Sequence, residues 1–327
     1  MSNPTLPVRA VVAVAALLAA MACGGPAPIP IDPARHARAV DAWHQRRVAE
    51  LEAPDSWLSL VGLAWLDEGE ATLGSDSTND IVLPPGAAPR VGHVVVSDSL
   101  VRFMASPGVV VTRGVDSTMV LPEGTGPIPQ DRSKERPVGE AVLGQVSPGH
   151  YTVLRNGPVD WLLLRRGNRW ALRIRSDNAP AYGRFHGIER FPVSTDWRVT
   201  ARFVPHHDSV AVPNVLGGVS EEPSPGSLVF ELDGKRHRLI LTGAPEDGRY
   251  MIIFGDATNG AETYGGGRFL WVDTPDRRSR VVVDFNYAFN PPCVYSAFAT
   301  CPLPPRENRL PVRIEAGEKA PRHVVRR

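Results

Sequence analysis

Apolar and polar residues follow two different periods along this chain, and the change falls near Pro54. Before it, Ala37, Val40, Trp43, Val48 and Leu51 recur at helical spacing, with Arg46, Arg47 and Glu50 at other positions. Asp32-Pro33 supplies an N-cap and a proline in the first helical turn, where a missing N–H goes unmissed. The pattern predicts one amphipathic helix over 32–54 that packs on the domain following it.

After Pro54 the period becomes two. An apolar stretch, Trp57 to Leu66, runs into the turn Asp67-Glu68-Gly69-Glu70, and short strands follow at Val94–Val96, Leu100–Met104, Val109–Thr112 and Met119–Leu121. Leu162 to Ile174 reads as a hairpin turning at Gly167-Asn168. Further strands fit Val199–Val204, Leu228–Leu232, His237–Thr242, Tyr250–Phe254, Phe269–Val272 and Val281–Phe285, with Asp233-Gly234 a tight turn. Many short strands between Gly/Pro turns predict a mainly β, antiparallel sandwich or barrel with one N-terminal amphipathic helix. Pro122–Pro137 and Pro213–Gly226 are polar, Pro-rich and read as surface loops.

A third pattern precedes both. Ala10 to Ala22 is apolar after Arg9. Thirteen helical residues rise only about 20 Å, too short for a bilayer core of about 30 Å. A positive start, a short apolar run and small residues at the end predict a secretory signal over 1–22. Ala20-Met21-Ala22-Cys23-Gly24 resembles a bacterial lipobox, so cleavage would leave Cys23 to take a lipid; ordinary signal cleavage is the alternative. Residues 23–31, rich in Gly and Pro, then form a tether. The expected location is the cell envelope, anchored in a membrane, and in the outer membrane of a Gram-negative host because Gly24 and not Asp follows the cysteine.

Composition adds exclusions. The 327 residues are 43% hydrophobic and 22% charged, a globular balance, and Lys+Arg at 36 against Asp+Glu at 35 leaves no basic field for nucleic acid. Lysine stands only at 134, 235 and 319, an arginine bias to which no function is attached. No G-x-S-x-G, H-E-x-x-H, P-loop or G-x-G-x-x-G occurs. His206-His207-Asp208 is the only local histidine cluster, and adjacent strand residues face opposite ways, which suits no shared metal. Neither a metal, a cofactor nor a reaction is assigned by these residues. Of three cysteines, Cys293 and Cys301 remain once Cys23 is lipidated, and in an oxidising compartment a disulfide is the default. Free thiols or a catalytic role are the alternatives.

Two resemblances add to this reading. Thr72-Leu73-Gly74-Ser75 with Asn79 to Leu83 resembles the opening of a forkhead-associated (FHA) sandwich, which implies an FHA-like topology for residues 55–175. In that family an Arg follows the Gly, and a Ser three residues before a His helps bind phosphothreonine. Ser75 and Arg90, ahead of His93, stand in those places here, so phosphopeptide binding is not implied. The stretches Asp256 to Phe269, Asp284 to Cys293, Cys301 to Pro311 and Ala316 to Lys319 together resemble the domain-of-unknown-function family 1684. The resemblance runs from Trp57-Leu58 to Lys319 and implies a β-rich domain, often in lipoproteins, with no reaction to transfer.

The region 176–327 is dense in polar groups among apolar neighbours. A pocket for a small anionic or sugar ligand would use Arg268 and Arg309 as donors and Asp256, Glu262, Asp284 and Glu318 as acceptors, with Tyr264, Asn286 and Asn290 beside them. The structural alternative is that Asp284 and Glu318 pair with the arginines to hold irregular loops. Two functions therefore follow as expectations. One is a membrane-tethered protein that binds an envelope ligand or partner. The other is a hydrolase or lyase acting on an envelope polymer through Asp284 and Glu318, which requires the two carboxyls in one open cleft.

Overall fold

The helix forms, and it packs chiefly on the C-terminal half, with only Trp43 and Leu51 touching the Trp57–Leu60 segment that follows it. The computed structural model describes residues 26–98, 100–116, 132–147, 150–166 and 168–321. The signal, Cys23, the strand Met119–Leu121, the turn residue Gly167 and most of the Pro122–Pro137 loop lie outside them. Helix α1 (Pro33–Glu52) starts as its sequence dictates: Asp32 Oδ1 accepts the Arg35 N–H at 2.7 Å, with Pro33 in the first turn. No helix among the described residues is long and apolar enough to cross a membrane.

Among the described residues twelve strands follow: β1 (Leu60–Leu66), β2 (Gly69–Gly74), β3 (Ile81–Val82), β4 (Gly92–Ser97), β5 (Leu100–Ala105), β6 (Val111–Asp116), β7 (Arg136–Val138), β8 (Glu140–Leu143), β9 (Gln145–Ser147), β10 (His150–Asn156), β11 (Val159–Arg166) and β12 (Arg169–Ser176). They make two sheets, β3-β2-β4-β5-β8 and β1-β12-β11-β10-β6-β7 with β9 on β10, antiparallel except between β2 and β3. Alternate residues close the sandwich: Val94, Val96, Val101 and Phe103 from one sheet meet Leu154, Trp161, Leu163 and Leu172 from the other. Phe103 and Trp161 pack edge to face at 5.5 Å. Strand β11 is buried on both faces, because Leu162 and Leu164 join Val153 on the side away from the sandwich core. That explains its unbroken apolar run.

One ionic network fastens the end of α1 to this sandwich. Arg155 Nη2 donates to Asp160 at 2.9 Å and to Asp55 at 3.2 Å, while its Nε donates to Glu135 at 3.2 Å. Arg175 donates to Asp160 at 2.6 Å, and Arg132 donates to both Asp55 and Asp177. Burial opposes charge on Asp55, but Arg175, Arg132 and Arg155 outweigh it and hold its carboxyl below the usual range.

The second half contains β13 (Arg198–Pro213), β14 (Val219–Leu232), β15 (Lys235–Leu241), β16 (Arg249–Phe254), β17 (Arg268–Asp273) and β18 (Arg280–Asp284). Sheet β15-β14-β13-β18 packs on the hairpin β16-β17 through Leu228, Phe230, Leu239, Ile252, Phe254 and Leu270. The expected loop Pro213–Gly226 is instead the far end of the long β13–β14 hairpin, paired as far as Pro213 and Val219. Strand β15 pairs with β14 only from Gly226 onward; beyond it Gly243 N donates to Pro223 O at 2.8 Å, which uses the proline's carbonyl and not its missing N–H. A third cluster, with Leu60, Val212, Ile253, Phe269 and Phe289, joins the two halves. Across the same seam Ser296 Oγ donates to Leu60 O at 3.1 Å and Arg166 Nε to Thr300 Oγ1 at 2.8 Å.

Candidate functional site

The residues expected to form one pocket are divided among separate centres, and α1 completes two of them. His36, Val40, Trp43, Arg47 and Leu51 share one face of the helix, and all but the half-buried Trp43 are buried. The surface they cover belongs to the C-terminal half: Trp43 packs edge-on against Tyr287 at 5.2 Å and Phe289 at 6.5 Å. Arg190 adds an ion pair to Asp41 from outside.

Arg268 is the first centre, and it is wholly interior. Its Nη2 donates to Asp256 Oδ2 at 2.8 Å and to Ile314 O at 2.9 Å; its Nη1 donates to the carbonyls of Ala316 and Glu318. The guanidinium lies 5.3 Å over the Phe254 ring. The arginine clamps the segment 314–318 onto β17 and has no exposed surface for a ligand. Burial depresses its pKa, with Asp256 and Glu318 acting against that. The neighbouring Gly267, at φ +86°, would place a Cβ 2.6 Å from Phe254 O and 2.4 Å from Pro304 Cγ. The glycine thus serves the close approach of another strand and loop, not of a ligand.

Glu318 is the second centre. Arg47 Nε donates to its Oε1 at 3.0 Å, and Asn290 N donates to its Oε2 at 2.7 Å. Asn290 Nδ2 also reaches Lys319 O at 2.8 Å, and Tyr295 OH stands 3.5 Å from Oε2. Burial, then the Glu318 charge, drives the Tyr295 hydroxyl far above its ordinary range. For Arg47, burial is more than offset by Glu318, which raises its pKa.

The third centre opens to solvent. Asp284 Oδ2 pairs with His36 Nε2 at 2.7 Å and lies 3.8 Å from Arg198 Nε; its Oδ1 accepts Asn286 Nδ2 at 2.8 Å. Asn286 is locked in turn to Ser194. Asp284 therefore bonds His36 and Arg198, and Glu318 bonds Arg47, instead of the expected Arg268 and Arg309. The two carboxyls do not share an open cleft either, because Glu318 is completely buried. Glu262 pairs with Arg313 at the surface, Tyr264 is half-buried beside the seam, and Arg309 is exposed with its backbone bridged to Gly255.

Above Asp284 lies a cleft of about 670 Å³. Pro30 to Asp32, Arg35, His36, Trp43 and Arg46 form one wall. Arg198, Arg249, Trp271 and Tyr287 face them. Burial and the Asp284 charge raise the Tyr287 hydroxyl above its usual value. Aromatic faces beside guanidinium forks can stack a ring and hold an anion together. A smaller, more apolar cavity of about 400 Å³ lies over Leu58, Phe185, Val294 and Tyr295.

Sequence reasoning missed His36, Trp43, Arg198 and Trp271 as site residues. Their signal was present in part: positions 36, 40, 43, 47 and 51 mark a single helical stripe that includes a histidine and an arginine.

Cys293 and Cys301 are buried thiols, and the expected crosslink is not formed. They are nonetheless neighbours: each backbone N–H donates to the other's sulfur, at 3.1 and 3.2 Å. Burial, then the hydrogen bond with Cys293, pushes the Cys301 thiol well above its usual pKa.

Residues 183–319 match the family described as "Protein of unknown function (DUF1684)". The chain belongs to this family. An uncharacterized protein of Haloarcula marismortui, solved by solution NMR, is 32% identical over 42% of this chain and 78% of its own, with a TM-score of 0.36. No curated protein matches. The family match takes in Arg268, Asp284, Glu318 and both cysteines but not the sandwich, α1 or the Trp57–Leu66 stretch to which the resemblance had extended. Asp284 and Glu318 of the family region thus meet partners from a helix outside the match.

Proposed function

We propose that this DUF1684 protein is an exported, lipid-anchored binding protein of the cell envelope, and that the cleft between α1 and strands β16–β18 takes its ligand. The observation that carries the reading is the union of three aromatic rings, Trp43, Trp271 and Tyr287, with Arg35, Arg46, Arg198 and Arg249 in one opening. The ligand is anionic, and part of it packs against the three rings. Arg268 and Glu318 support the site by holding the segment behind it. The lipobox and the tether support anchoring through Cys23. In the oxidising compartment Cys293 and Cys301 would join, closing a ring worth about 2.6 kcal/mol in the chain-entropy account.

Cys23→Ser should move the protein from the membrane to the soluble envelope fraction or block its processing. A mutant still membrane-bound with unchanged mature mass would contradict the anchor. A thermal-shift screen of the purified chain against uronates, phosphosugars and their neutral counterparts tests the cleft, since a ligand of the folded state must raise its stability. The anionic compounds should raise the melting temperature, and Arg46→Glu should abolish that rise. Shifts from neutral sugars alone would sink the anionic assignment.

A further inference from the structure

The cleft lies beside the point where the tether meets the fold. Ile29 N donates to Thr200 Oγ1 at 3.1 Å, and Arg198 Nη1 donates to Ile29 O at 2.7 Å. From there Pro30, Ile31 and Asp32 run directly into the cleft wall. The expected tether of residues 23–31 is therefore fastened to the fold at Ile29. Six peptide links separate Ile29 from Cys23, a reach of at most about 22 Å in full extension. A cleft fastened at Ile29 cannot move far from the membrane that holds Cys23.

Its chemistry suits that position. Four guanidinium groups, of Arg35, Arg46, Arg198 and Arg249, face three carboxylates, of Asp32, Asp273 and Asp284. The excess is one positive charge, which a phosphodiester with its single negative charge would neutralise. Two of the carboxylates already have work: Asp32 caps α1 and Asp284 holds His36. Arg35 and Arg46 are exposed, and among the described residues neither has an ion-pair partner. Trp and Tyr rings, apolar in body and polar at one edge, settle at headgroup depth. Trp43, Trp271 and Tyr287 supply three of them.

We propose that the cleft binds the phosphodiester headgroup of an anionic phospholipid in the same membrane to which the chain is tethered. This rests on the anchored-binding reading above and narrows its ligand to a lipid. The protein would then hold its membrane twice, covalently through Cys23 and by recognition through the cleft, so that its orientation is fixed as well as its location.

The test uses the full mature chain with Cys23→Ser, which has no lipid of its own, and sedimentation with vesicles. Vesicles containing phosphatidylglycerol should retain it at least ten-fold better than phosphatidylcholine alone. The double variant Arg35→Glu/Arg46→Glu should lose that preference while its melting temperature stays unchanged. Equal retention by both vesicles, or a preference indifferent to the double variant, overturns the proposal. Free glycerol phosphate and hexuronate separate the two readings. A melting-temperature rise with these, abolished in the double variant and without any vesicle preference, keeps the cleft as an anion site and removes the lipid. No response to vesicles or free anions removes both.

Discussion

A lysine at position 268 would keep the positive charge and lose the planar fork. Arg268 serves Asp256, Ile314 O and Ala316 O at once from a fully buried position, and an ammonium on a shorter reach cannot satisfy all of them. Arg268→Lys should therefore cost roughly 2–4 kcal/mol in urea unfolding with no ligand present. An unchanged midpoint would remove the clamp assignment. Asp55 makes a different demand. Its folded pKa lies below the unfolded value, so its ionised form contributes stability above the unfolded pKa, and that contribution is lost as pH falls through the folded value. It also adopts φ +65°, which asparagine tolerates. Asp55→Asn should cost roughly 2 kcal/mol near neutral pH, and the gap to wild type should narrow as pH falls below the usual carboxylate range. A gap constant with pH would show that the charge is not what matters. The sequence displayed Arg268 and Asp256 as candidates for chemistry, but only burial reveals that they face carbonyls and not a cavity. Composition alone cannot distinguish an arginine that serves the backbone from one that serves a ligand.

Helix α1 shows how an element can be legible while its partner is not. Its N-cap, proline and apolar period all sit in the local sequence; the surface it covers is set by residues more than two hundred positions away. The local pattern sets Arg47 apart from the apolar stripe, whereas the fold buries it on that stripe with Glu318 beneath it. Arg47→Met leaves that carboxylate buried and uncompensated, at an expected cost of roughly 3–5 kcal/mol. Adding Glu318→Gln should recover a large part of the loss. If the double variant is as unstable as the sum of the singles, measured by denaturant unfolding, the pair is not coupled. The β13–β14 hairpin was misread for the opposite reason. Its prolines signal a loop locally, and only the sheet order shows that they lie beyond the β15 ladder, where their missing N–H breaks no bond. The antiparallel strands elsewhere were readable because their alternation is produced by the core they bury.

At the scale of the molecule, the two halves share a seam built by Leu60, Val212, Ile253 and Phe269. A chain of residues 176–321 alone would expose that seam and lose α1 from both Asp284 and Glu318. It is expected to be insoluble or to melt well below the full mature chain; an equally stable fragment would show that the halves are independent. The crosslink is readable by intact mass after alkylation of envelope-isolated protein: no thiol at 293 or 301 should alkylate without reductant, and two alkylated thiols would exclude the bond there. The sequence placed these cysteines near one another through the loop between them, but oxidation depends on the compartment as well as the fold.

The helix and its two acidic partners also impose an order of events on biogenesis. His36 and Asp284 are 248 positions apart, and Arg47 and Glu318 are 271 apart. Helix α1 is therefore made long before Asp284 and Glu318, and its docking site is incomplete until residue 318 has emerged. A message truncated before Ala316 would yield a chain in which Arg47 has lost Glu318 while His36 keeps Asp284, a helix docked at one end only and open to proteolysis at the other.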